Sequence, residues 1–121
     1  MADLFDEDYR PIAGSNPQQF MTRFVGFTDR MLPALQEPVL ELDPRVVFCA
    51  AVDRNGFLPT HNRKFSQPQG GDVAGNTTNC RNRRIFNDRV GLAVGRNTKR
   101  VLLQSYRRDM GGGQFVAMKD V

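Results

Sequence analysis

The first regular pattern of apolar positions follows the dipeptide Asn16-Pro17. An asparagine before a proline is typical of a helix start, with Asn as the N-cap and Pro at the first helical position. The apolar residues that follow recur at spacings of four, three, four and four, and they are Phe20, Phe24, Phe27, Met31 and Leu35. That spacing matches one face of a helix. The pattern therefore predicts a long amphipathic N-terminal helix over about 17–32.

Two prolines interrupt the same stripe further along. Pro33 and Pro38 each remove a backbone N–H and clash with the preceding turn of a helix. Asp43-Pro44 then disfavours helical backbone altogether. We therefore expect the long helix to stop near residue 32 and a bent or separate helical segment to continue to about 42.

A second pattern, over residues 46–61, predicts two strands joined by a tight turn. Val46 to Val52 form a continuous apolar run, which is typical of a strand buried on both faces. The turn is Asp53-Arg54-Asn55-Gly56, whose Asn-Gly pair favours a hairpin because both residues tolerate positive φ. The returning strand leads to His61, the only histidine.

The second half of the chain contains a long polar stretch and then a second predicted hairpin. Residues 62–79 lack periodicity, which predicts a long loop. A short helix is expected over 80–87, capped by Thr78 or Asn79, and glycines interrupt the residues after it. The next strand candidate is 100–108, with Val101, Leu103 and Ser105 on one face and Leu102, Gln104 and Tyr106 on the other. A glycine-rich turn connects it to the returning strand 114–121.

These elements predict an α+β fold, in which an amphipathic helix covers one face of an antiparallel sheet. The 121 residues suffice for one domain with a single core. Residues 1–15 are polar and read as an N-terminal arm or linker, and we assign 16–121 to the domain. The hydrophobic fraction of 40% and the charged fraction of 25% are ordinary for a soluble globular chain.

The charge of the chain is basic and comes mostly from arginine. The net charge is +4, and only three of the 17 basic residues are lysine. Guanidinium groups suit planar partners such as carboxylate and phosphate. The clusters at 81–89 and 107–108 therefore indicate ligand contacts, internal pairing with carboxylates such as Asp72 or Asp88, or an arginine-rich nucleic-acid-binding module. Nucleic acid is disfavoured because no exposed aromatics are interleaved with the basic residues.

Cysteine usage and apolar runs predict a cytoplasmic chain. Cys49 and Cys80 are too few for a disulfide framework, and two thiols without a C-x-x-C spacing fit a reduced compartment. No apolar run approaches the roughly 18–20 residues that span a bilayer, and the acidic N-terminus differs from a signal peptide. No nucleophile–base set and no metal-spaced carboxylates are recognisable, so the sequence predicts a protein that is not an enzyme.

Five stretches covering nearly the whole chain carry a family resemblance. They are LFDEDYRPIAGSNPQQFMTRF at 4–24, FTDRMLPALQEP at 27–38, DPRVVFCAAVDRNGFLPTHNRKFSQPQGGD at 43–72, NCRNRRIFNDRVGLAVGRNT at 79–98 and LLQSYRRDMGGGQFVAMKDV at 102–121. Together they closely resemble a cytoplasmic sensor domain of bacterial methyl-accepting chemotaxis proteins, often placed at the C-terminal end of such receptors. Domains of this kind are similar to the PAS/Cache class.

The resemblance implies a fold and a function. The implied fold is a five-stranded antiparallel sheet with a long N-terminal helix and a ligand pocket between the sheet and the loop–helix segments. One more strand, in the centre of the sheet, is expected after the equivalent of Val121. The implied function is ligand sensing in chemotaxis: a small molecule, such as a carboxylate, binds the pocket, and the N-terminal helix passes the change to the receptor's signalling helices. Because chemoreceptors are dimers, the resemblance also implies a homodimer.

The resemblance also implies where the ligand-binding residues lie, because Cache-like pockets take residues from a helix and the strand after it. The residues of this chain at those positions are Arg81, Arg84, Tyr106, Arg107 and Asp109, with His61 beside them. Arginine would hold a carboxylate through two parallel hydrogen bonds. Tyrosine and aspartate would serve hydroxyl and amine groups of the ligand.

His61 keeps several interpretations open. One interpretation is a haem or metal ligand with Cys80 as a possible companion, which would make the chain a haem- or redox-sensing PAS-like domain. Another is a pH-sensitive hydrogen-bonding residue. The remaining interpretation is a hydrogen-bonded histidine at a strand end. The sequence requires no cofactor, and a redox pair of Cys49 with Cys80 has no motif in its favour.

Overall fold

The computed structural model describes residues 2–121, which form short helices and short antiparallel strands. The helices are α1 (Val25–Met31), α2 (Pro33–Gln36), α3 (Val73–Asn79) and α4 (Arg89–Gly95), with 3₁₀ turns at Ala2–Phe5, Pro38–Glu41 and Arg63–Phe65. The strands are β1 (Arg10–Pro11), β2 (Phe20–Met21), β3 (Phe57–Leu58), β4 (Arg84–Ile85), β5 (Gln104–Gly111) and β6 (Gln114–Asp120). They pair antiparallel as β1–β2, β3–β4 and β5–β6. Helices mixed with antiparallel sheets are what the α+β class requires.

The prediction of one long helix over 17–32 is wrong. The backbone before residue 22 is engaged in strand contacts, with the N–H of Ile12 donating to Gln19 O at 2.8 Å and the N–H of Phe20 donating to Arg83 O at 2.7 Å. Helical geometry therefore begins only at Val25. The predicted second segment to about 42 is confirmed, because Pro33 opens α2 and Pro38 opens the following 3₁₀ turn.

The core of the fold is a small aromatic cluster. Phe24, Val25 and Phe57 are buried together, and the side chains packed against them are Tyr9, Phe20 and Ile85. The rings of Tyr9 and Phe57 lie 5.2 Å apart. Residues 2–15, which the sequence assigns to an arm, thus contribute an aromatic side chain to the core and a strand that pairs with β2.

The Asn-Gly turn is confirmed, but its strands pair differently from the prediction. The N–H of Asp53 donates to Phe57 O at 2.9 Å, and Gly56 has a φ of +82°. A Cβ at Gly56 would stand 2.2 Å from Phe86 O, so no larger side chain fits. Beyond the turn, β3 pairs with β4 and not with residues 46–52, so the predicted first hairpin is wrong as a strand pair.

Hydrogen bonds to side chains, and not pairing with a neighbouring strand, hold residues 46–52, which we call the wall segment. The N–H of Cys49 donates to Asn62 Oδ1 at 2.8 Å, and the N–H of Ala51 donates to Gln36 Oε1 at 3.1 Å. Both amide side chains are buried. Within residues 2–121, the alternate N–H groups of Phe48, Ala50 and Val52 donate no hydrogen bond. The wall segment is therefore held from one side only.

The region after the wall segment also departs from the sequence prediction. A helix forms before residue 80, in the stretch predicted to be a loop, and the predicted helix over 80–87 is replaced by a turn and β4. The N–H of Arg81 donates to Phe65 O at 2.7 Å, which is incompatible with continued helix. The next helix, α4, forms where glycines were expected to interrupt the chain, and the Asp88 carboxylate caps it by accepting from the N–H of Gly91 at 2.9 Å.

The predicted C-terminal hairpin is confirmed as β5 and β6, with Tyr106 opposite Met118. Helix α3 packs against β5, and the Thr78 hydroxyl donates to Met110 O. These contacts fix the end of α3 against the strand that carries the site described below. Among residues 2–121, every helix is too short or too polar to cross a lipid bilayer.

Candidate functional site

A cavity of about 1060 Å³ lies between the wall segment, the loop after α3, helix α4 and the β5–β6 hairpin. Tyr106 and Arg108 of β5 line its floor, and they share one face of the strand with Gln104 by the two-residue period. The exposed fraction of these residues is lower than that of Ser105, Arg107 and Asp109 between them. The inner face of β5 therefore presents a charged group, Arg108, to the interior.

Arg108 is a buried cation without a hydrogen-bonding partner. The residue is 2% exposed, and Nε, Nη1 and Nη2 find no acceptor among the residues that the structure describes. Its guanidinium lies over the rings of Phe65 and Phe48, at 4.4 and 5.1 Å from their centres. Cation–π contact offsets part of the desolvation of the charge, but five N–H donors stay unsatisfied, which is costly in an interior.

Two further arginines stand at the same end of the cavity. Arg81 Nη1 donates to Thr77 O at 2.9 Å and to Asp109 O at 3.0 Å, so it caps the C-terminal end of α3. Arg84 and Arg81 both lie over the Phe86 ring, at 4.8 and 5.3 Å. Burial, followed by the charge of Arg108, lowers the pKa of Arg81 to about 10. All three arginines remain cationic at neutral pH.

These three arginines, which we call the arginine end, form no ion pair with a described carboxylate, although the nearby charge of Asp109 favours the charged forms of Arg81 and Arg84. The four ion pairs found within residues 2–121 join Arg23 to Asp3, Arg45 to Asp43, Arg54 to Glu7 and Arg83 to Asp29. None of them involves the arginine end, and neither Asp72 nor Asp88 pairs with it there. Uncompensated buried charges of one sign are unfavourable. At the arginine end, three positive charges face one nearby carboxylate, that of Asp109, so an anion would be favoured there.

His61 lies beside Arg108 as a neutral side chain. Its ring is 5.0 Å from that of Phe65 and 5.2 Å from that of Phe48. Nδ1 accepts from the N–H of Asn62 at 2.8 Å, so this geometry assigns the proton to Nε2. Burial, followed by the charges of Arg108 and Arg81, lowers the pKa of His61 to about 3. His61 is thus a hydrogen-bond donor in the cavity lining, and not a third positive charge there.

The second candidate metal or haem ligand, Cys80, is separated from this surface. Cys80 is buried, its Sγ lies 3.9 Å from Asn76 Oδ1, and it is not one of the described residues that line the cavity with His61. Burial raises the pKa of its thiol. Within the described chain, no group of three His, Cys, Asp or Glu residues is placed to hold a metal ion.

Tyr106 supplies a neutral hydroxyl at the middle of the floor. Burial, followed by the nearby charge of Asp120, raises the pKa of Tyr106 to about 12. Asp120 lies diagonally across the hairpin from Tyr106, because Gln104 is its direct partner. The phenol therefore keeps its proton at neutral pH and remains a donor.

All six residues that the sequence suggested line the cavity, and four of them, His61, Arg81, Arg84 and Tyr106, are buried or half-buried. Arg107 and Asp109 border the cavity but are exposed: Arg107 lies 4.7 Å from the Phe115 ring centre, and Asp109 Oδ1 accepts from the N–H of Gly111 at 2.8 Å. The residue missed was Arg108. The sequence indicated its position, because residues two apart in a strand share a face: Arg108 lies on the same face of β5 as Tyr106, and Arg107 lies on the opposite face.

Comparison with known proteins adds no neighbour to this description. No family model, no curated protein and no solved structure matches the chain. The resemblance to chemoreceptor sensor domains therefore stays a prediction from the sequence.

Proposed function

We propose that this chain is the ligand-sensing domain of a bacterial chemoreceptor, that it is not an enzyme, and that it binds a small organic anion at the arginine end of its cavity. The observation that carries the proposal is the Arg108 guanidinium, which is 2% exposed and has three nitrogens without an acceptor among the described residues. An anion that accepts from those N–H groups would offset the cost of a buried, unpaired charge. The sequence resemblance described above supports the receptor context.

Binding at Arg108 requires the wall segment to move. Phe48, on this segment, is half-buried and its ring contacts the Arg108 guanidinium. The ring has to move aside before a carboxylate reaches the N–H groups, because those nitrogens are buried in the structure. An anion at Arg108 would thus favour a different arrangement of the wall segment, which is the differential binding that a sensor needs.

Two buried amides offer a route from the wall segment to the N-terminal helices. Asn62 accepts from Cys49 of the wall segment and donates through Nδ2 to Glu37 Oε2 at 2.7 Å. Gln36, the last residue of α2, accepts from Ala51 and donates through Nε2 to Thr60 O at 3.3 Å. A displacement of the wall segment therefore pulls directly on α2. The helices α1 and α2 are the proposed output to the receptor's signalling helices.

The same helices carry an apolar surface suited to a second copy of the chain. The exposed fractions of Phe27, Met31 and Leu35 are 44%, 51% and 68%, and these residues belong to the stripe that the sequence predicts. The proposal is that this surface forms a homodimer. Analytical ultracentrifugation of the wild type and of Met31→Glu tests it: a dimer that becomes monomeric in the variant supports the proposal, and a wild-type monomer at every concentration contradicts it.

The anion proposal is tested by isothermal titration calorimetry of acetate, benzoate and sulfate against three proteins: the wild type, Arg108→Met and Arg89→Met. Arg89 is an exposed arginine at the start of α4 and serves as the matched control for the loss of one positive charge. We expect at least one anion to bind the wild type and the control equally, and to bind Arg108→Met at least tenfold more weakly. Equal binding to all three proteins, or no binding of any anion to the wild type, contradicts the proposal.

A further inference from the structure

Resting on the proposed function, we infer that the anion is a short peptide that binds in an extended conformation along the wall segment, with its C-terminal carboxylate at Arg108. The inference depends on two observations, an open strand edge along one side of the cavity and the unpaired guanidinium beside that edge. A simple acid satisfies only the guanidinium. A peptide also brings the backbone N–H and C=O groups with which the open edge can pair.

The wall segment has the geometry of a strand that presents its edge to the cavity. On one side, the N–H groups of Cys49 and Ala51 donate to buried amide side chains. Residues two apart in a strand direct their backbone groups to the same side, so Phe48, Ala50 and Val52 direct theirs to the other side. The five consecutive residues 46–50 all line the cavity, whereas a strand seen on its face would contribute only alternate residues.

The edge that faces the cavity is unpaired. Within residues 2–121, no N–H or C=O group of Phe48, Ala50 or Val52 takes part in a backbone hydrogen bond. Natural proteins protect open edges with charged residues, prolines or bulges, because an apolar edge pairs readily with another chain. The sequence of the wall segment, VVFCAAV, contains no charged residue and no proline. The wall segment is therefore suited to accept one more strand.

The length of the edge sets the length of the ligand. The edge begins at the arginine end, because the Arg108 guanidinium lies 5.1 Å from the centre of the Phe48 ring. Val52 is four residues further along, and a peptide of about four residues spans the distance of roughly 13 Å that follows from the rise of a strand. The cavity volume of about 1060 Å³ stands at the upper end of the roughly 300–1,000 Å³ typical of small-molecule sites. A single small acid would therefore leave most of the cavity unfilled.

Helix α4 closes the far end of the cavity, where the edge ends. Its last residue, Gly95, packs against the residue that follows the wall segment, since a Cβ at Gly95 would stand 2.2 Å from Asp53 O. Near the other end of the helix, Val90 O accepts from Gln104 Nε2 at 3.2 Å. The helix thus connects the end of the wall segment with the start of β5.

This far end is acidic, which suits the other terminus of a peptide. Asp120 lies opposite Gln104 in the hairpin, and burial, followed by the charge of Asp88, raises the pKa of Asp120. A cation would offset the repulsion between the two carboxylates, whereas a second anionic group would add to it. The free N-terminal ammonium group of a peptide therefore fits the far end, and the second carboxylate of a long diacid does not.

The experiment titrates the full chain by calorimetry at pH 7.5 with the tetrapeptide Thr-Val-Thr-Val, with its C-terminal amide and with acetate. We expect the free peptide to bind at least tenfold more tightly than acetate, because backbone hydrogen bonds add to the head-group contact. The amide, which has no carboxylate, should bind at least tenfold more weakly than the free peptide. A free peptide that binds no more tightly than acetate, or an amide that binds as well as the free peptide, overturns the inference.

Amide hydrogen exchange followed by NMR identifies the edge that the peptide occupies. The peptide should slow exchange at Phe48, Ala50 and Val52 at least tenfold, and acetate should not, because only a paired strand gives these N–H groups an acceptor. Unchanged exchange at these three residues in the peptide complex overturns the inference.

Ala50 offers a matched pair of variants. Ala50→Pro removes one open N–H, and proline is tolerated on a strand edge where that N–H has no partner. We expect this variant to bind acetate within twofold of the wild type and the peptide at least tenfold more weakly, whereas Ala50→Ser, which keeps the N–H, should bind both as the wild type does. Circular dichroism establishes that each variant is folded, and equal peptide binding by the two variants overturns the inference. If Ala50→Pro does not fold, the exchange measurement on the wild type decides.

The outcomes separate this inference from the proposed function. If acetate binds and the peptide binds no more tightly, the anion site stands and the peptide ligand is wrong. If neither the peptide nor any simple anion binds the wild type, the proposed function itself is wrong. If the peptide binds and its affinity is unchanged in Arg108→Met, the head-group assignment fails and the inference is overturned.

Discussion

The guanidinium of Arg108 lies 4.4 Å from the centre of the Phe65 ring, and no acceptor among the described residues meets its nitrogens. A protein that needed only stability would place an apolar side chain at this position, because replacing a buried charge with a hydrophobic residue of similar volume is often neutral or favourable. The proposed anion site would account for this buried, unpaired cation.

The first prediction concerns the stability of Arg108→Met. Without ligand, we expect the free energy of unfolding to rise by about 1–3 kcal/mol, because the variant removes unsatisfied buried donors and keeps the apolar contact with Phe65. Urea unfolding monitored by circular dichroism measures the change. Arg89→Met, at an exposed position, should remain within about 0.5 kcal/mol of the wild type. A clear loss of stability in Arg108→Met would mean that the cation is satisfied in solution.

The second prediction is a dependence of stability on pH that comes from His61. The pKa of His61 is about 3 in the folded chain and about 6.5 in an unfolded one. The unfolded state therefore binds a proton that the folded state does not, and stability is complete above pH 6.5 and falls as the pH decreases below it. Between pH 7.5 and 5.5 the expected loss is about 1.4 kcal/mol.

The matched variant for this titration is His61→Asn, which keeps an acceptor near the position of Nδ1 and has no proton to gain. The charged groups that act on His61 are Arg108, Arg81, Lys64 and Arg84, and each of them lowers its pKa. Urea unfolding at pH 7.5, 6.5 and 5.5 should show the decrease in the wild type and a flat profile in the variant. Parallel profiles would show that His61 is charged in the folded protein.

The third prediction concerns the amide contacts of the wall segment. Gln36→Met keeps the volume of the side chain but removes the acceptor for Ala51 N–H and the donor to Thr60 O. We expect a loss of about 1–3 kcal/mol, since the carbonyl of buried Thr60 and the N–H of Ala51 are left without partners. Hydrogen exchange at Ala51 should become faster. Gln114→Met, at an exposed site in β6, is the control, and equal exchange rates at Ala51 in the two variants would show that Gln36 does not hold the wall segment.

The fourth prediction concerns the turn before β3. Gly56→Ala should destabilise the chain by more than about 2 kcal/mol, because the backbone has a φ of +82° and the new Cβ would stand 2.2 Å from Phe86 O. Gly70→Ala introduces a Cβ with no neighbour within 4 Å and should change stability by less than about 0.5 kcal/mol. Thermal unfolding measures both, and similar melting temperatures would mean that the turn relaxes.

The sequence predictions that the structure confirms depend on local signals. The Asn-Gly turn, the two prolines that open short helical segments and the glycine-rich hairpin each depend on the conformational limits of one or two residues. The long N-terminal helix failed because an apolar stripe indicates only which side chains share a face. The backbone of Phe20 finds a strand contact with Arg83 O, which lies more than sixty residues away in the chain.

The candidate site was predicted in part for the same reason. The types of residue were recognisable, since arginine, tyrosine and histidine suit an anionic ligand. The alternation of side chains along β5 also indicated that Arg107 and Arg108 lie on opposite faces of the strand. The absence of a partner for Arg108 depends on Phe48, Phe65 and α3 meeting around one strand, which no local pattern encodes.

The amino-acid sequence by itself determined the α+β class, the turns and the arginine-rich chemistry, because these follow from residue types and their immediate neighbours. The tertiary structure alone decided that the wall segment is held by the Asn62 and Gln36 side chains, and that three arginines line one cavity without an ion pair among residues 2–121. The physical reason is that desolvation and hydrogen bonding depend on distant segments meeting in space, and their free energies exist only once the chain is folded.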